Sequence, residues 1–280
     1  MSVTSSRELP SVAVVVAALD AEATLGACLD SLRALRYPRG RFEVVVVDNG
    51  SRDRTREVAS SRSVRVVEER RRGPAAARNT GVRATSSDVV ALTDADCTVD
   101  AGWLEALVAP LAAPAVGLSG GTIRALPPAS WIERHGEVVH DHRRAIEHAR
   151  PPYVVTMNWA ARREVIDEIG PFAEDLLRSS DVDYSYRVGA AGHRLAFAPD
   201  AIVYHRNESS LLGLAHEGYT HGYHGVAVRR RHEAYVVAAL RAADAANAVG
   251  AAARGSRLCD TVFRLGKRFG DAAARLRGAG

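Results

Sequence analysis

Val89-Val90-Ala91-Leu92-Thr93-Asp94-Ala95-Asp96 is an apolar run that ends in two carboxylates. Its first four residues are β-branched or aliphatic on both faces, the composition of a strand buried inside a parallel sheet. In an extended segment residues i and i+2 project to the same side, so Asp94 and Asp96 are expected to face one point just past the strand. Like charges held that close are costly without a cation or strong donors beside them. A divalent metal, Mn2+ or Mg2+, carrying diphosphate oxygens in its remaining positions, is the natural occupant. The plain alternative is a helix-capping turn, and an isolated Asp-x-Asp does not choose between the two.

The flanking sequence gives the run its context. Val12–Ala18 reads as another buried strand, followed by a helical stretch over 21–35 with Leu25, Cys28, Leu29 and Leu32 on one face. A strand over 43–47 leads to Ser51 and Asp53, both candidate helix caps, and a strand over 64–67 leads through Gly73-Pro74 into a helix over 75–83. After the Asp-x-Asp comes a helix over 101–111. Four β-then-α units in series predict a parallel sheet with helices on both faces and ligands in the crevice at the strands' carboxyl ends. Downstream, a strand is expected over 116–124, a charged helix over 131–148 and an extended stretch over 153–160. Helices over 163–169 and 181–191 follow, then strands over 195–198 and 201–205, with helical sequence from 209 to the end.

Composition excludes more than it identifies. The chain has 280 residues, 47% hydrophobic and 25% charged, enough for one large core. Its longest apolar run, 12–19, is strand-sized, well short of the roughly 20 residues of a membrane span. The opening MSVTSSRELP has no secretory pattern, and the three cysteines, Cys28, Cys97 and Cys259, are too scattered for a disulfide framework. A cytoplasmic protein is expected, with no nucleic-acid partner. Net charge is +4, and among 37 basic residues only Lys267 is a lysine. Arginine suits phosphate recognition, although a codon bias towards Arg and Ala explains the usage as well.

Five segments in order carry a resemblance: VVVVDNGSRDRT (44–55), GPAAARNTGV (73–82), VVALTDADC (89–97), NWAARREVIDEIGPFAEDLL (158–177) and SSDVDYSYRVGAAGHRLAFAPDAIVYH (179–205). Over about residues 11 to 230 the chain resembles the family 2 glycosyltransferases. That likeness implies a GT-A (Rossmann-like) α/β domain over 1–230, its nucleotide-sugar half about 11–120 and its acceptor half about 121–230. A helical tail over 231–280 would follow. It implies that Asp48 and Asn49 contact the nucleotide base and that Arg78 approaches the donor. Asp94 and Asp96 match the metal and ribose motif, and His205 stands at a third metal-ligand position. Asp181 falls where inverting relatives place the general base. A carboxylate there has a chemical reason, because the acceptor hydroxyl must lose its proton as its oxygen attacks the anomeric carbon. Asp183 is the rival, but helix positions i and i+2 point roughly 200° apart, so one of the two should face the site. Asn158-Trp159 is expected near the acceptor, an aromatic face suiting sugar C–H surfaces, with core packing as the alternative.

The expected activity is inverting, metal-dependent transfer of a single sugar from a UDP-sugar to a hydroxyl of a glycan, lipid-linked or small-molecule acceptor. The chain departs from the family pattern at Ala17-Ala18-Leu19-Asp20, where a Pro-x-Tyr-Asn-like turn is common, and at Ser180-Asp181, commonly Glu-Asp. The Gln-x-x-Arg-Trp segment of polymerising relatives is absent. Two other readings are a sugar nucleotidyltransferase, which needs a Gly-rich loop where 19–26 stands, and a non-catalytic nucleotide-sugar binder. No Gly-x-Gly-x-x-Gly points to a dinucleotide enzyme. Glycines 213, 218, 222 and 225 suggest a lid over 209–232 that brings Arg229 to Arg231 near the phosphates or an acidic membrane surface. The tail's mixed apolar and basic pattern suits docking on the catalytic domain or peripheral contact with an anionic membrane.

Overall fold

Val12, Val14 and Val16 belong to one hydrophobic core and Val15 to another, and the same alternation continues in the two strands beside them. These strands are buried on both faces, which is why they read as continuous apolar runs. The computed structural model describes residues 9–246 and 257–277. Its first half is β1 (Val12–Ala18), α1 (Leu25–Arg33), β2 (Phe42–Asp48), α2 (Thr55–Ser60), β3 (Arg65–Glu68), α3 (Pro74–Arg83), β4 (Val89–Asp94), β5 (Cys97–Val99) and α4 (Trp103–Val108). The second half is β6 (Val116–Ala125), α5 (Trp131–Val139), α6 (His142–Glu147), β7 (Trp159–Arg162), α7 (Arg163–Ile169), α8 (Ser180–Ala190), β8 (Arg194–His205), α9 (Leu211–Arg231), α10 (Glu233–Ala246) and α11 (Arg257–Arg277). Residues 247–256 and 278–280 of the expected tail lie outside the described residues.

One eight-stranded sheet runs β3-β2-β1-β4-β7-β6-β8-β5. Its first four strands are parallel, as the βα series predicts, while β7 and β5 enter antiparallel to their neighbours. Helix α3 lies directly on β1 and β2, and the close approach depends on Gly81: a Cβ there would sit 2.2 Å from Val15 Cγ1.

Three local features differ from the sequence reading. The helix expected over 131–148 is two helices, because the Asp141 side chain accepts a bond from Arg144 N at 3.0 Å and starts α6 afresh. The strands expected over 195–198 and 201–205 are one strand. Its register slips between Gly121 and Thr122, and Thr122 Oγ1 donates to Pro199 O at 2.7 Å across the irregularity. The third, β5, is three residues long and exists by virtue of its partner β8, so it leaves no pattern of its own in the sequence.

Two of the glycines of 209–232, Gly218 and Gly222, pack against another helix. Helix α9 is unbroken over 21 residues and lies against α11 backbone to backbone. A Cβ at Gly222 would fall 2.0 Å from Lys267 O, one at Gly266 2.2 Å from Ala215 O, and one at Gly270 2.0 Å from Tyr219 O. Glycines four apart on both helices let the two backbones touch, the same device that packs helices closely elsewhere. Arg229 is bound to Asp271 of α11 at 3.0 Å. Among the described residues no helix is long and apolar enough to cross a membrane. Introducing a side chain at the crossing, as in Gly222→Val, should cost roughly 1–3 kcal/mol. Hydrogen exchange should then quicken across α9 and α11 and leave β1, β2 and β4 unchanged.

Candidate active site

The carboxyl ends of the central strands are level, with Ala18 opposite Asp48 and Ala17 opposite Asp94. A cleft of about 650 Å3 opens there, walled by residues 17–21 together with Asn49, Gly73, Arg78, Asp94, Asp96, Arg178 and Arg206. The loops after β1 and β2 are joined by polar bonds. Asp20 N donates to Ser51 Oγ at 3.0 Å, Arg52 N to Asp20 Oδ1 at 2.8 Å and Ala21 N to Thr55 Oγ1 at 2.7 Å. These bonds shape the turn at Leu19-Asp20. Asn49 closes the adjoining wall: its Nδ2 donates to Glu69 O at 3.0 Å and Arg71 O at 2.7 Å, and its Oδ1 accepts from Gly73 N at 2.8 Å.

Asp48, expected at the nucleotide base, is not among the residues that wall the cleft. It is fully buried, with Oδ1 accepting from Ser51 N at 3.2 Å and Oδ2 held by Arg56 Nη2 at 2.6 Å. Burial raises its pKa, but the bonds from Ser51 and Arg56 prevail and keep it below the usual carboxylate range. Its work is to fix the loop that carries Asn49.

Asp94 and Asp96 have separate partners. Strand β4 ends at Asp94, and Ala95-Asp96 form a turn into β5, so the extended i, i+2 geometry stops at the first carboxylate. Asp94 Oδ1 meets Arg78 Nη2 of α3 at 3.1 Å, whereas Asp96 Oδ2 lies 3.5 Å from His205 Nε2. His205 arrives there because β5 pairs antiparallel with β8, placing it opposite Cys97. Its Nδ1 is 2.7 Å from Asn207 Oδ1, which orients the ring and turns Nε2 towards Asp96. Burial lowers the pKa of His205, yet the Asp96 carboxylate outweighs it and the imidazole is pushed up to about 9. Asp96, Cys97 and His205 bring ligand atoms within 4.8 Å of one another. Burial first, then the Asp96 and Asp94 charges, push the Cys97 thiol well above its ordinary pKa, so it is a poor ligand there. The remaining carboxylate oxygen and imidazole nitrogen suit a divalent cation of the Mg2+ or Mn2+ kind and leave positions for phosphate oxygens.

A second cavity, about 480 Å3, shares Pro74, Arg78, Asp94 and Arg178 with the first. Asp181, in the first turn of α8, stands on its wall. Burial raises the pKa of this carboxylate, the Arg78 charge opposes the rise and Asp94 adds to it. Asp183 faces elsewhere and is 1% exposed. Its Oδ2 is 3.0 Å from Arg187 Nε, and its Oδ1 is 2.9 Å from His232 Nε2 and 3.4 Å from Arg231 Nη1. The acceptor contact expected of Asn158 and Trp159 does not fit their surroundings, since both are fully buried. Trp159 packs 5.7 Å from Phe172 and 5.6 Å from Tyr184, ring centre to ring centre. Asn158 accepts from Trp103 Nε1 at 2.9 Å and donates to Ala201 O at 2.9 Å. An aromatic residue at this point of the sequence serves the core.

The profile of the family described as Glycosyl transferase family 2 matches residues 13–170. The chain belongs to glycosyltransferase family 2. It is a glycosyltransferase. It is 32% identical over 205 residues to glycosyltransferase AglE of Haloferax volcanii, covering 70% of this chain and 67% of that one. It is 33% identical over 211 residues to the pre-mycofactocin glycosyltransferase of Mycobacterium tuberculosis, covering 71% of this chain and 43% of the relative's length. Among solved structures, mannosyltransferase PcManGT from Pyrobaculum calidifontis, in complex with GDP-Man and Mn2+, superposes with TM-score 0.66 at 22% identity, covering 97% of this chain and 87% of that one. S. aureus TarS 1-349 in complex with UDP-GlcNAc gives TM-score 0.62 at 16% identity, covering 96% and 74%. At those identities the likeness is one of fold, and the fold is GT-A.

Several groups around the transferase's clefts carry no local signal. Arg178 precedes α8 in an irregular segment and lines both cavities, and Arg206 enters the first beside His205. His221 lines the second cavity, and His232 holds Asp183. His140, near the break between α5 and α6, contacts Glu217 at 3.2 Å and lies 5.6 Å from the His205 ring. The two aspartates of α8 should therefore separate in a denaturation experiment. Asp183→Ala strips a buried carboxylate from two arginines and His232 and should lower stability by roughly 2–4 kcal/mol in urea. Asp181→Asn should leave the urea midpoint where it is.

Proposed function

We propose that the transferase moves one sugar, with inversion, from a nucleoside-diphosphate sugar to an acceptor hydroxyl, and that the reacting centre is where the two cavities meet. The observation that carries this reading is Asp181: a carboxylate of raised pKa on the wall of the second cavity, beside the Arg78–Asp94 pair common to both. The first cavity holds the nucleotide against the loops joined by Ser51 and Asn49, with the diphosphate reaching towards Arg78, Arg178 and Arg206. The acceptor enters the second cavity. Its hydroxyl gives its proton to Asp181 as the oxygen bonds to the anomeric carbon, and the bond from that carbon to the diphosphate breaks on the opposite face. Arg78 and Arg178 stabilise the charge that gathers on the leaving diphosphate. Asp96 and His205 would hold a divalent cation, which neutralises diphosphate oxygens when bound. We take the donor to be a UDP-sugar, since TarS was solved with UDP-GlcNAc and glucosyl-3-phosphoglycerate synthase from Mycobacterium tuberculosis with UDP and Mn2+. PcManGT, solved with GDP-Man, makes GDP-sugars the second arm of any donor screen. The family match and the free Asp181 carboxylate favour transfer over nucleotidyl chemistry or simple binding.

Asp181→Asn should lower kcat by roughly a hundredfold or more while UDP affinity stays within a factor of two or three. An equal loss in Asp183→Gln without loss of fold would move the base to the other carboxylate. The base must be ionised, so activity falls as pH drops through its pKa. Because burial raises that pKa, the acid limb of the kcat profile should lie above the ordinary carboxylate range. Removing the opposing charge in Arg78→Met should shift the limb higher still, read at saturating donor. Calorimetry should show UDP binding that requires Mn2+ or Mg2+ and disappears in Asp96→Ala. Equal affinity with and without EDTA would overturn the metal's role.

A further inference from the structure

Beyond Asp181 the second cavity runs to the C-terminal helices, and its wall there carries more positive charge than the fold neutralises. Arg178, Arg229 and Lys267 all line it. Arg229 is partly satisfied by Asp271 at 3.0 Å, and Arg78 nearer the reaction centre by Asp94 at 3.1 Å. Among the described residues Lys267 and Arg178 have no hydrogen-bonding or ion-pair partner at all. Of the lining carboxylates, Asp141 is occupied as the cap of α6, and Asp181 is the proposed base. Glu217, beside the cavity, is shared by His140 at 3.2 Å and His221 at 3.9 Å.

The neighbouring groups register this excess. Burial, then Arg229, hold the Lys267 ammonium below its usual pKa against the weaker pull of Asp271. Burial chiefly pushes His221 down to about 4, with His140, Lys267 and Arg178 adding to the effect and Glu217 opposing it. His224 is lowered by burial and by Arg178. Lys267 is also held in place from below. It sits between Gly266 and Gly270, and its carbonyl is the backbone atom against which Gly222 packs, so the α9–α11 crossing fixes where its side chain starts. In a chain whose other Lys/Arg positions are all arginine, the sole lysine lines this cavity.

We propose that Arg178, Arg229 and Lys267 form a subsite for a phosphate group on the acceptor, with Lys267 the residue that distinguishes a phosphorylated acceptor from a neutral one. This rests on the reading of the second cavity as the acceptor side. A cavity of about 480 Å3 accommodates a small phosphorylated unit whose hydroxyl reaches Asp181. A compact ammonium and flanking guanidinium groups supply the charge-assisted bonds a phosphate dianion takes. The phosphate can belong to a soluble metabolite or to a lipid. The outer face of α11 makes the lipid source worth a separate arm: Leu265, Phe269 and Leu276 are 48%, 68% and 79% exposed and lie along one stripe with Arg268 and Arg275 beside it.

The test uses the full chain saturated with UDP and Mn2+, so that the donor side is filled before the probe is added. Calorimetry should detect glycerol 3-phosphate binding and no glycerol binding. Lys267→Met should weaken glycerol 3-phosphate at least tenfold with UDP affinity unchanged, and Lys267→Arg should restore most of it. Vesicles of phosphatidic acid in phosphatidylcholine form the second arm, in sedimentation. Retention lost both in Lys267→Met and in the Leu265→Ser/Phe269→Ser double variant assigns the phosphate to a lipid. Glycerol 3-phosphate binding without Lys267-dependent retention assigns it to a soluble acceptor. Equal glycerol 3-phosphate affinity in wild type and Lys267→Met, or no binding to the UDP–Mn2+ form, overturns the subsite and leaves the donor reading standing. Failure of UDP itself to bind would overturn both.

Discussion

Three residues of β5 pairing with the end of β8 hold this site together. Cys97 opposite His205 brings an imidazole from the last strand against the carboxylate that follows the fourth. Without that pairing Asp96 would sit in a solvated turn, and His205 would end a strand with nothing to face. The contact ties the half of the chain that walls the first cleft to the half that carries Asp181. It also lets two residues more than a hundred positions apart behave as one group. Asn207 then orients the imidazole, and Asn207 Nδ2 donates to Glu133 O at 2.8 Å, carrying the linkage on to α5.

Charge placement follows from the same arrangement. The proposed transfer calls for cations near the leaving group and one ionisable carboxylate free to take a proton. The structure separates these demands by giving each acidic residue a different environment. Asp48 and Asp183 are spent on loop and helix supports, Asp94 on Arg78, and Asp96 on His205. Asp181 alone of this set is left on a cavity wall with no cationic side chain bonded to it, and burial keeps its proton affinity high. Two aspartates two positions apart on one helix thus reach opposite ends of the range of roles open to a carboxylate.

Helix α11 extends that logic to the far end of the molecule. Glycines on both α9 and α11 remove the side chains that would otherwise hold the helices apart, and the resulting contact seats Lys267 on the wall of the second cavity. Those glycines read as a weak, mobile segment when taken one helix at a time, because glycine lowers helix propensity. Their spacing acquires its packing meaning once the partner helix, some fifty residues later, lies against them.

Read by itself, the sequence determines the parallel half of the sheet, the family, and the identity of the carboxylates at the strand ends. Val12–Ala18, 43–47 and Val89–Leu92 are buried on both faces, so their apolar runs announce them, and helical periodicity separates Asp181 from Asp183 before any coordinates are known. Tertiary structure alone decides what each polar group does. The turn at Ala95-Asp96 sends Asp94 to Arg78 and Asp96 to His205, burial removes Trp159 and Asn158 from the acceptor, and Arg56 draws Asp48 away from the cleft. The physical reason is that hydrophobic periodicity is a local property of the chain. The partner of a charged or aromatic side chain is set by which distant segment packs against it.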